Sequence, residues 1–434
     1  MGLGFAIFDR FYRQAAVPGL KAWLWRHGMS VAYVTLLCLF AALHALAPHV
    51  YLFFTRIPDG VAKLHPFVDL RAILQGGACW RQGVDVYKPS ACLGGGEFNY
   101  SPLLLRLAWL PIGPQDTLAG GLLFCAAYGW ALVCLPAPAG RPLLLGAAAF
   151  SPAAYYALEQ GNLDTVIFAG SVLALRLLGR HRIWAYALFA CGAAAKFYPG
   201  ALFILALREG RRTLGALALA AGAGGILVLA LDGHAVLTAL RQIPSGTPFR
   251  ASFGRIDLSR GLAMLHFLSR GMAGGVSWIL AGVAGAVAWK RRVAWAKALA
   301  RLDDEAALFL VAGAAVTAFC FLAAQNIEYR ALFLLLMLPG LSRVAACGWG
   351  FRVLPLLIVV LLWESVPRAW LGGLAQPYLP TGPAFCFWLL REVLWWWLEI
   401  ECLAAVFAFA LAFSRQKLTG AGNAHNDSTL TQGA

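Results

Sequence analysis

The sequence predicts an all-α membrane protein with a bundle of about twelve transmembrane helices. Of its 434 residues, 61% are hydrophobic and only 13% are charged. Apolar runs of about 18 residues or more recur along the whole chain, and each is long enough to cross a hydrocarbon core of roughly 30 Å. These apolar residues come in blocks and do not alternate with polar ones, which excludes a transmembrane β-barrel.

The formal net charge of +15 comes from Lys and Arg residues that cluster in short segments between the apolar runs. This is the distribution that the positive-inside rule gives to cytoplasmic loops. No basic stripe or known nucleic-acid-binding module is present, so we expect membrane lipids and no nucleic acid as partners. Residues 1–28 are basic and amphipathic, and the apolar run after them is too long for a signal peptide. We therefore expect a cytoplasmic N-terminal segment.

The predicted spans follow the apolar blocks and their basic borders. A segment at 183–207 has basic residues at both ends but is too short for two ordinary crossings, so it predicts two short helices that meet at Lys196-Phe197-Tyr198-Pro199-Gly200. The other spans are residues 29–54, 116–136, 142–158, 163–179, 213–231, 275–289, 305–324, 331–342, 352–366 and 384–413.

These spans define a transmembrane domain at 29–413 and a small, polar tail at 414–434 that we expect to be disordered and cytoplasmic. The chain then crosses the inner (cytoplasmic) membrane of the cell many times, and both termini lie on its cytoplasmic side. Two long segments, 55–115 and 232–274, become outward loops.

The first outward loop contains an amphipathic helix along the membrane surface. Phe67, Leu70 and Leu74 share one face of it at helical spacing, and Asp69 lies in its first turn, off that face. An acid in a first turn complements the helix dipole. The same carboxylate could accept a proton from a substrate hydroxyl, and both interpretations stay open at this point.

Cys79 and Cys92 lie in the same loop, where an oxidising compartment would permit either a disulfide or two free thiols. The chain has 10 cysteines. They show neither a Cys-x-x-Cys motif nor Cys/His spacing, so the sequence predicts no zinc site.

Polar residues from distant segments fall on the outward half of the predicted topology, which predicts that they line one cavity, because ionisable groups within a membrane are costly. Most also have a structural alternative: helix capping for the two amides, anchoring of a short interfacial helix for Tyr100, and a solvated mobile loop for Arg250 and Arg255. Glu328 and Arg330 could pair with each other or with lipid headgroups. The polar residues of the predicted cavity are Tyr87, Tyr100, Gln160, Asn162, Arg250, Arg255, Glu328 and Arg330.

Lys196 lies within the apolar hairpin and requires an anionic partner there. A substrate phosphate is one candidate, and Asp164 or Glu159 is the structural one.

Four features, in this order, resemble the membrane glycosyltransferases of the GT-C fold, and most closely glycosyltransferase family 87, which uses polyprenyl-phosphate mannose. They are the acidic residue in FVDLRAIL after the first span, Gly-x-Asp-x-Tyr at 83–87 leading to FNYSP at 98–102, Gln160-Gly161-Asn162 before a helix, and Lys196-Phe197-Tyr198-Pro199. Two features depart from the family. Ser101 replaces the first proline of a Tyr-Pro-Pro segment, and the loop 90–97 has no family counterpart, which leaves the acceptor open.

The resemblance implies a hexosyltransferase that moves a sugar, mannose by the family's habit, from a polyprenyl-phosphate donor to a hydroxyl of a glycolipid or glycan acceptor. Asp69 takes the general-base role and Lys196 faces the donor phosphate, joined on charge and topology alone by Arg250 and Arg255. The remaining candidates bind sugar or acceptor: Tyr87, Tyr100, Gln160, Asn162, Glu328 and Arg330.

No cofactor is assigned. Dependence on a divalent cation stays open. Some GT-C enzymes use one, but this sequence shows no evident second carboxylate beside Asp69 that would help to bind it. A transporter or flippase of a lipid-linked sugar is the alternative function, since polar residues near helix breaks are also typical of transport sites. No inverted repeat supports that alternative.

Overall fold

The computed structural model describes residues 18–136, 142–242, 246–323, 325–372, 380 and 382–427. Within these residues the chain is an all-α membrane protein, as the sequence predicted. Its six helices that are long and apolar enough to cross a membrane are His27–Leu46, Pro114–Cys134, Arg211–Arg241, Arg270–Leu299, Asp304–Ala323 and Pro383–Ala412.

The predicted count of about twelve spans is not confirmed. Two bent helix pairs raise the number of candidates from six to at most eight. They are Glu328–Leu336 with Leu338–Cys347, at 53°, and Trp349–Leu362 with Ser365–Gly372, at 48°. The other predicted spans consist of helices that are individually too short.

Proline explains two of the breaks in the N-terminal half. Pro18–Leu46 is followed at once by Pro48–Asp59, and Pro142–Ala149 by Pro152–Glu159. Proline lacks an N–H and is favoured in the first turn of a new helix. Two further helices of this half are Thr117–Cys134 and Leu163–Leu177.

The predicted amphipathic helix is present as Val68–Arg81, called the surface helix below. Its Leu70 and Leu74 are buried, and Asp69 lies in its first turn. A disulfide joins Cys79, near its end, to Cys92. Short helical turns follow at Ala91–Leu93, Pro102–Leu105, Arg106–Trp109 and Pro114–Asp116.

The predicted hairpin is also present. The α-helix Arg182–Ala195 and the 3₁₀ helix Tyr198–Arg208 meet at Lys196, whose backbone is extended. The break coincides with Pro199 at the start of the second helix. It leaves Lys196 at a corner between two apolar helices.

The predicted extent of the second outward loop, residues 232–274, is wrong, because helices enter it from both ends. The preceding helix continues to Arg241 across a kink at Asp232, whose carboxylate pairs with Arg106 at 2.6 Å. The helix therefore runs past residue 231, where the predicted span ended. The segment also contains strand Ser252–Phe253, antiparallel to Asn326–Ile327, and helix Asp257–Met264.

Helix Asp304–Ala323 forms the buried centre of the bundle. It packs against Tyr198–Arg208, Glu328–Leu336 and the last helix, Pro383–Asp427. That last helix extends well into the tail predicted to be disordered, because extending an existing helix adds one hydrogen bond per residue without a new nucleus. Of the two predicted terminal segments, residues 1–17 and 428–434 lie outside the described residues.

Candidate active site

The start of the surface helix is fastened to the Gln160-Gly161-Asn162 turn by main-chain hydrogen bonds. The N–H of Phe67 donates to the carbonyl of Glu159 at 2.6 Å, and that of Asp69 to the carbonyl of Gln160 at 2.9 Å. Gly161 has φ +60°, and a Cβ there would lie 2.9 Å from the Cβ of Phe67. Only glycine combines this backbone conformation with so close an approach.

Asn162 connects the groups of the site through both ends of its amide. Its Oδ1 accepts from the Asp164 N–H at 3.0 Å, which caps the helix Leu163–Leu177, and from Lys196 Nζ at 2.8 Å. Its Nδ2 donates to Asp69 Oδ2 at 2.5 Å. The capping interpretation is therefore correct for Asn162, and the same side chain also ties Asp69 to Lys196.

Lys196 and Arg330 surround the buried carboxylate of Asp164. Lys196 Nζ lies 2.5 Å from Asp164 Oδ1, so its protein partner is Asp164 and not Glu159. Arg330 Nε lies 3.7 Å from Asp164 Oδ2, and its Nη1 donates to Asn326 Oδ1 at 2.7 Å. With Asp69 included, the site holds two cations and two carboxylates in close contact.

Aromatic rings hold the ammonium of Lys196 from the sides. Its Nζ lies 5.7 Å from the ring centre of Tyr100 and 5.6 Å from that of Tyr329, within the range of cation–π attraction. The Lys196 side chain is 10% exposed, whereas Asp164 is fully buried. Part of the Lys196 side chain is thus accessible from the cavity that it lines, whereas Asp164 is not.

These groups line one cavity of about 560 Å³. Five of the predicted site residues line it: Asp69, Tyr100, Gln160, Lys196 and Arg330. Burial raises the pKa of Asp69 above its usual value, and the hydrogen bond from Asn162 and the charge of Lys196 offset part of that increase. A carboxylate with a raised pKa is a stronger base.

The structure does not bring the two predicted loop arginines to this cavity. Arg255 donates to the Leu322 carbonyl and to Ser277 Oγ, both at 2.6 Å, and its guanidinium stacks 3.7 Å above Trp278. The Arg250 carbonyl accepts from Arg391 at 2.9 Å. Neither Arg250 nor Arg255 is among the residues that line the cavity, so their role in a phosphate clamp stays a prediction.

Glu328 and Tyr87 also lie away from the cavity wall. Buried Glu328 accepts from Arg368 at 2.7 Å and not from the adjacent Arg330. Tyr87 donates its hydroxyl to the carbonyl of Tyr100 at 3.2 Å, so it supports a residue of the cavity from behind.

Sequence reasoning missed two tyrosines that line the cavity, Tyr156 and Tyr329. Their rings pack 5.4 Å apart at a steep angle. Tyr156 precedes Gln160 by one helical turn, and Tyr329 directly precedes Arg330. The helical spacing could have indicated Tyr156, whereas no signal in the sequence places Tyr329 at the cavity.

The donor set does not fit a divalent cation. Within the described ranges, no group of three or more His, Cys, Asp or Glu side chains is arranged to hold a metal ion. Asp164 is the second carboxylate, but Lys196 already contacts its Oδ1, while the Asn162 amide contacts Asp69. A metal would have to displace a fixed ammonium.

No family model, no curated protein and no solved structure matches this chain.

Proposed function

We propose that this chain is an integral membrane glycosyltransferase that moves a hexose from a polyprenyl-phosphate sugar to a hydroxyl of a glycolipid or glycan. One observation supports this most strongly: Asp69, Lys196 and Arg330 line the same cavity, and Asn162 joins the first two. Transfer from a sugar phosphate to a hydroxyl needs both a base and positive charge.

In the proposed step, the acceptor O–H gives its proton to Asp69 while its oxygen bonds to the anomeric carbon of the sugar. The bond between that carbon and the phosphate oxygen breaks, and the electron pair leaves with the polyprenyl phosphate. Attack from the face opposite the leaving group inverts the configuration. No metal ion takes part in this step.

Lys196 and Arg330 are the proposed phosphate ligands. An ammonium has three N–H donors, and Asn162 and Asp164 account for two of those of Lys196. Arg330 takes the place of Arg250 and Arg255 in the proposal, since a guanidinium has five donors that suit phosphate oxygens. Asp164 holds both cations in position and balances their charge until the donor binds.

The surrounding fold and orientation belong to the same proposal. The order of the motifs resembles that of enzymes with a GT-C-type helix bundle. The surface helix and the disulfide-linked segment after it fit the outer face of the cytoplasmic membrane, with both termini in the cytoplasm. A lipid-linked donor suits that location, because nucleotide sugars are confined to the cytoplasm. The hexose is proposed as mannose by resemblance only.

Proteoliposomes that contain the full-length protein, radiolabelled polyprenyl-phosphate mannose and a lipid extract test the proposal. Label in a new product, formed in proportion to protein, is the expected result. Label that crosses the bilayer on the intact donor, without a new product, would instead identify a transporter. A Lys196→Met variant should bind donor more weakly and slow product formation.

A further inference from the structure

A second cavity, of about 340 Å³, lies beside the first and shares no lining residue with it. It forms a groove between the helices Pro18–Leu46, Thr117–Cys134 and Pro152–Glu159, and the wall nearest the active site is Phe67. Most of its lining is apolar, including Leu37, Phe40, Leu122 and Phe150. It is called the apolar groove below.

Polar atoms without hydrogen-bond partners occur at the apolar groove. Glu159 is 5% exposed and Tyr51 is 4% exposed. Glu159 Oε1 and the hydroxyls of Tyr51 and Tyr155 have no hydrogen-bond partner in the described part of the chain. A buried polar group without a partner costs about 1 to 3 kcal/mol. A ligand with a hydrogen-bonding head would remove that cost.

The charged side chains that line the groove restrict which lipid head group can bind there. Among the described residues that line the groove, Glu159 is the sole carboxylate and none is Lys or Arg, while the His44 ring packs edge-on against Tyr51 at 4.9 Å. Lys63 lies 3.7 Å from the other oxygen of Glu159, which also accepts from Gln160, so Oε1 stays available. A carboxylate there disfavours a phosphate and accepts a hydrogen bond from a hydroxyl.

We propose that the apolar groove binds an uncharged membrane lipid with a hydroxyl head, such as a diacylglycerol. The hydroxyl donates to Glu159 Oε1, Tyr51 hydrogen-bonds to the same head, and the chains lie along Phe40 and Leu122. This site differs in charge from the Lys196 cavity, so it selects against the polyprenyl-phosphate donor. The proposal goes beyond the glycosyltransferase function and does not require it.

The apolar groove is also lined by Phe67, which lies two residues before Asp69. The Phe67 N–H donates to the main-chain carbonyl of Glu159. Lipid in the groove therefore packs against the residue that begins the surface helix.

Photolabelling of the full-length protein in nanodiscs tests the site. The probes are a diacylglycerol with a diazirine in one acyl chain and a phosphatidic acid with the same chain, followed by peptide mapping. We expect diacylglycerol to label the segments 36–51 and 118–125 at least about fivefold more than phosphatidic acid, an electrostatic preference of roughly 1 kcal/mol. Equal labelling by both probes would overturn the proposal.

Two variants separate the groove from lipid on the protein surface. Ala41→Trp fills the groove and should abolish diacylglycerol labelling there, whereas Leu39→Trp, at a side chain that is 51% exposed on the same helix, should leave it intact. Glu159→Gln keeps a hydrogen-bond acceptor but removes the charge, so phosphatidic acid should now label as well as diacylglycerol. Identical labelling of the two tryptophan variants, or unchanged head selectivity in Glu159→Gln, would contradict the inference.

Discussion

Replacement of Gly161 by alanine should separate the surface helix from the turn that positions Asp69. Alanine at φ +60° costs about 1 to 2 kcal/mol in backbone conformation. The new Cβ would lie 2.9 Å from Phe67 Cβ and 3.1 Å from Leu70 Cβ. Each of these two atoms is bonded directly to a Cα, so rotation of the side chain cannot move it away. Overpacking of this kind adds about 1 to 3 kcal/mol, for a total loss of stability of roughly 2 to 5 kcal/mol.

The measurement is thermal unfolding of the detergent-solubilised protein, together with its transfer rate. A shift of about 1 Å in Asp69 should slow transfer roughly 100-fold. Gly170→Ala is the matched control: Gly170 lies in a helix and a Cβ there meets nothing within 4 Å. That control should be neutral or stabilising by about 0.5 to 1 kcal/mol. If Gly161→Ala unfolds at the same temperature as Gly170→Ala, the close-approach argument is refuted.

Three further predictions concern the charges and the disulfide. Because burial raises the pKa of Asp69, its base form is lost at a higher pH than for an ordinary carboxylate; the transfer rate should rise with pH and then level off, and a flat profile between about pH 4 and pH 8 would contradict this. Lys196→Met leaves Asp164 buried without its ammonium and should cost about 3 to 5 kcal/mol in thermal unfolding; adding Asp164→Asn should restore stability but not transfer, and recovery of both would refute the phosphate role. Reduction of the Cys79–Cys92 bond, which closes a 13-residue separation, should lower the stability of the segment that it closes by about 2 to 4 kcal/mol, seen as earlier proteolysis in reductant; unchanged proteolysis would contradict it.

The parts of the fold that were predicted correctly follow from local rules. The helical spacing of Leu70 and Leu74 predicts the buried face of the surface helix, although Phe67 lies just before that helix in a left-handed conformation, and Pro199 predicts the break after Lys196. The span before the predicted loop 232–274 was ended at residue 231 from the apolar run, whereas the helix continues to Arg241 across a kink at Asp232. Asp232 pairs there with Arg106, far away in the sequence, and no local pattern shows such a pairing.

The site was predictable to the same degree. Asp69, Gln160, Asn162 and Lys196 belong to short motifs beside helix ends, and the structure brings them together. Arg250 and Arg255 rested on charge and topology alone. An arginine in a predicted polar loop need not bind a ligand: it can also donate to a main-chain carbonyl or stack on a tryptophan of another helix. Arg255 makes both of these contacts.

Mannose transfer by Asp69→Asn protein in proteoliposomes tests the general-base role most directly. Asn is close in size to Asp and can still meet the Asn162 amide, but it cannot accept the proton. Asp116→Asn is the control, because Asn keeps an oxygen to accept the Gly113 N–H. We expect Asp69→Asn to lose about 100- to 10,000-fold in rate while it still binds donor, and Asp116→Asn to match wild type. Wild-type rates in Asp69→Asn would contradict the account.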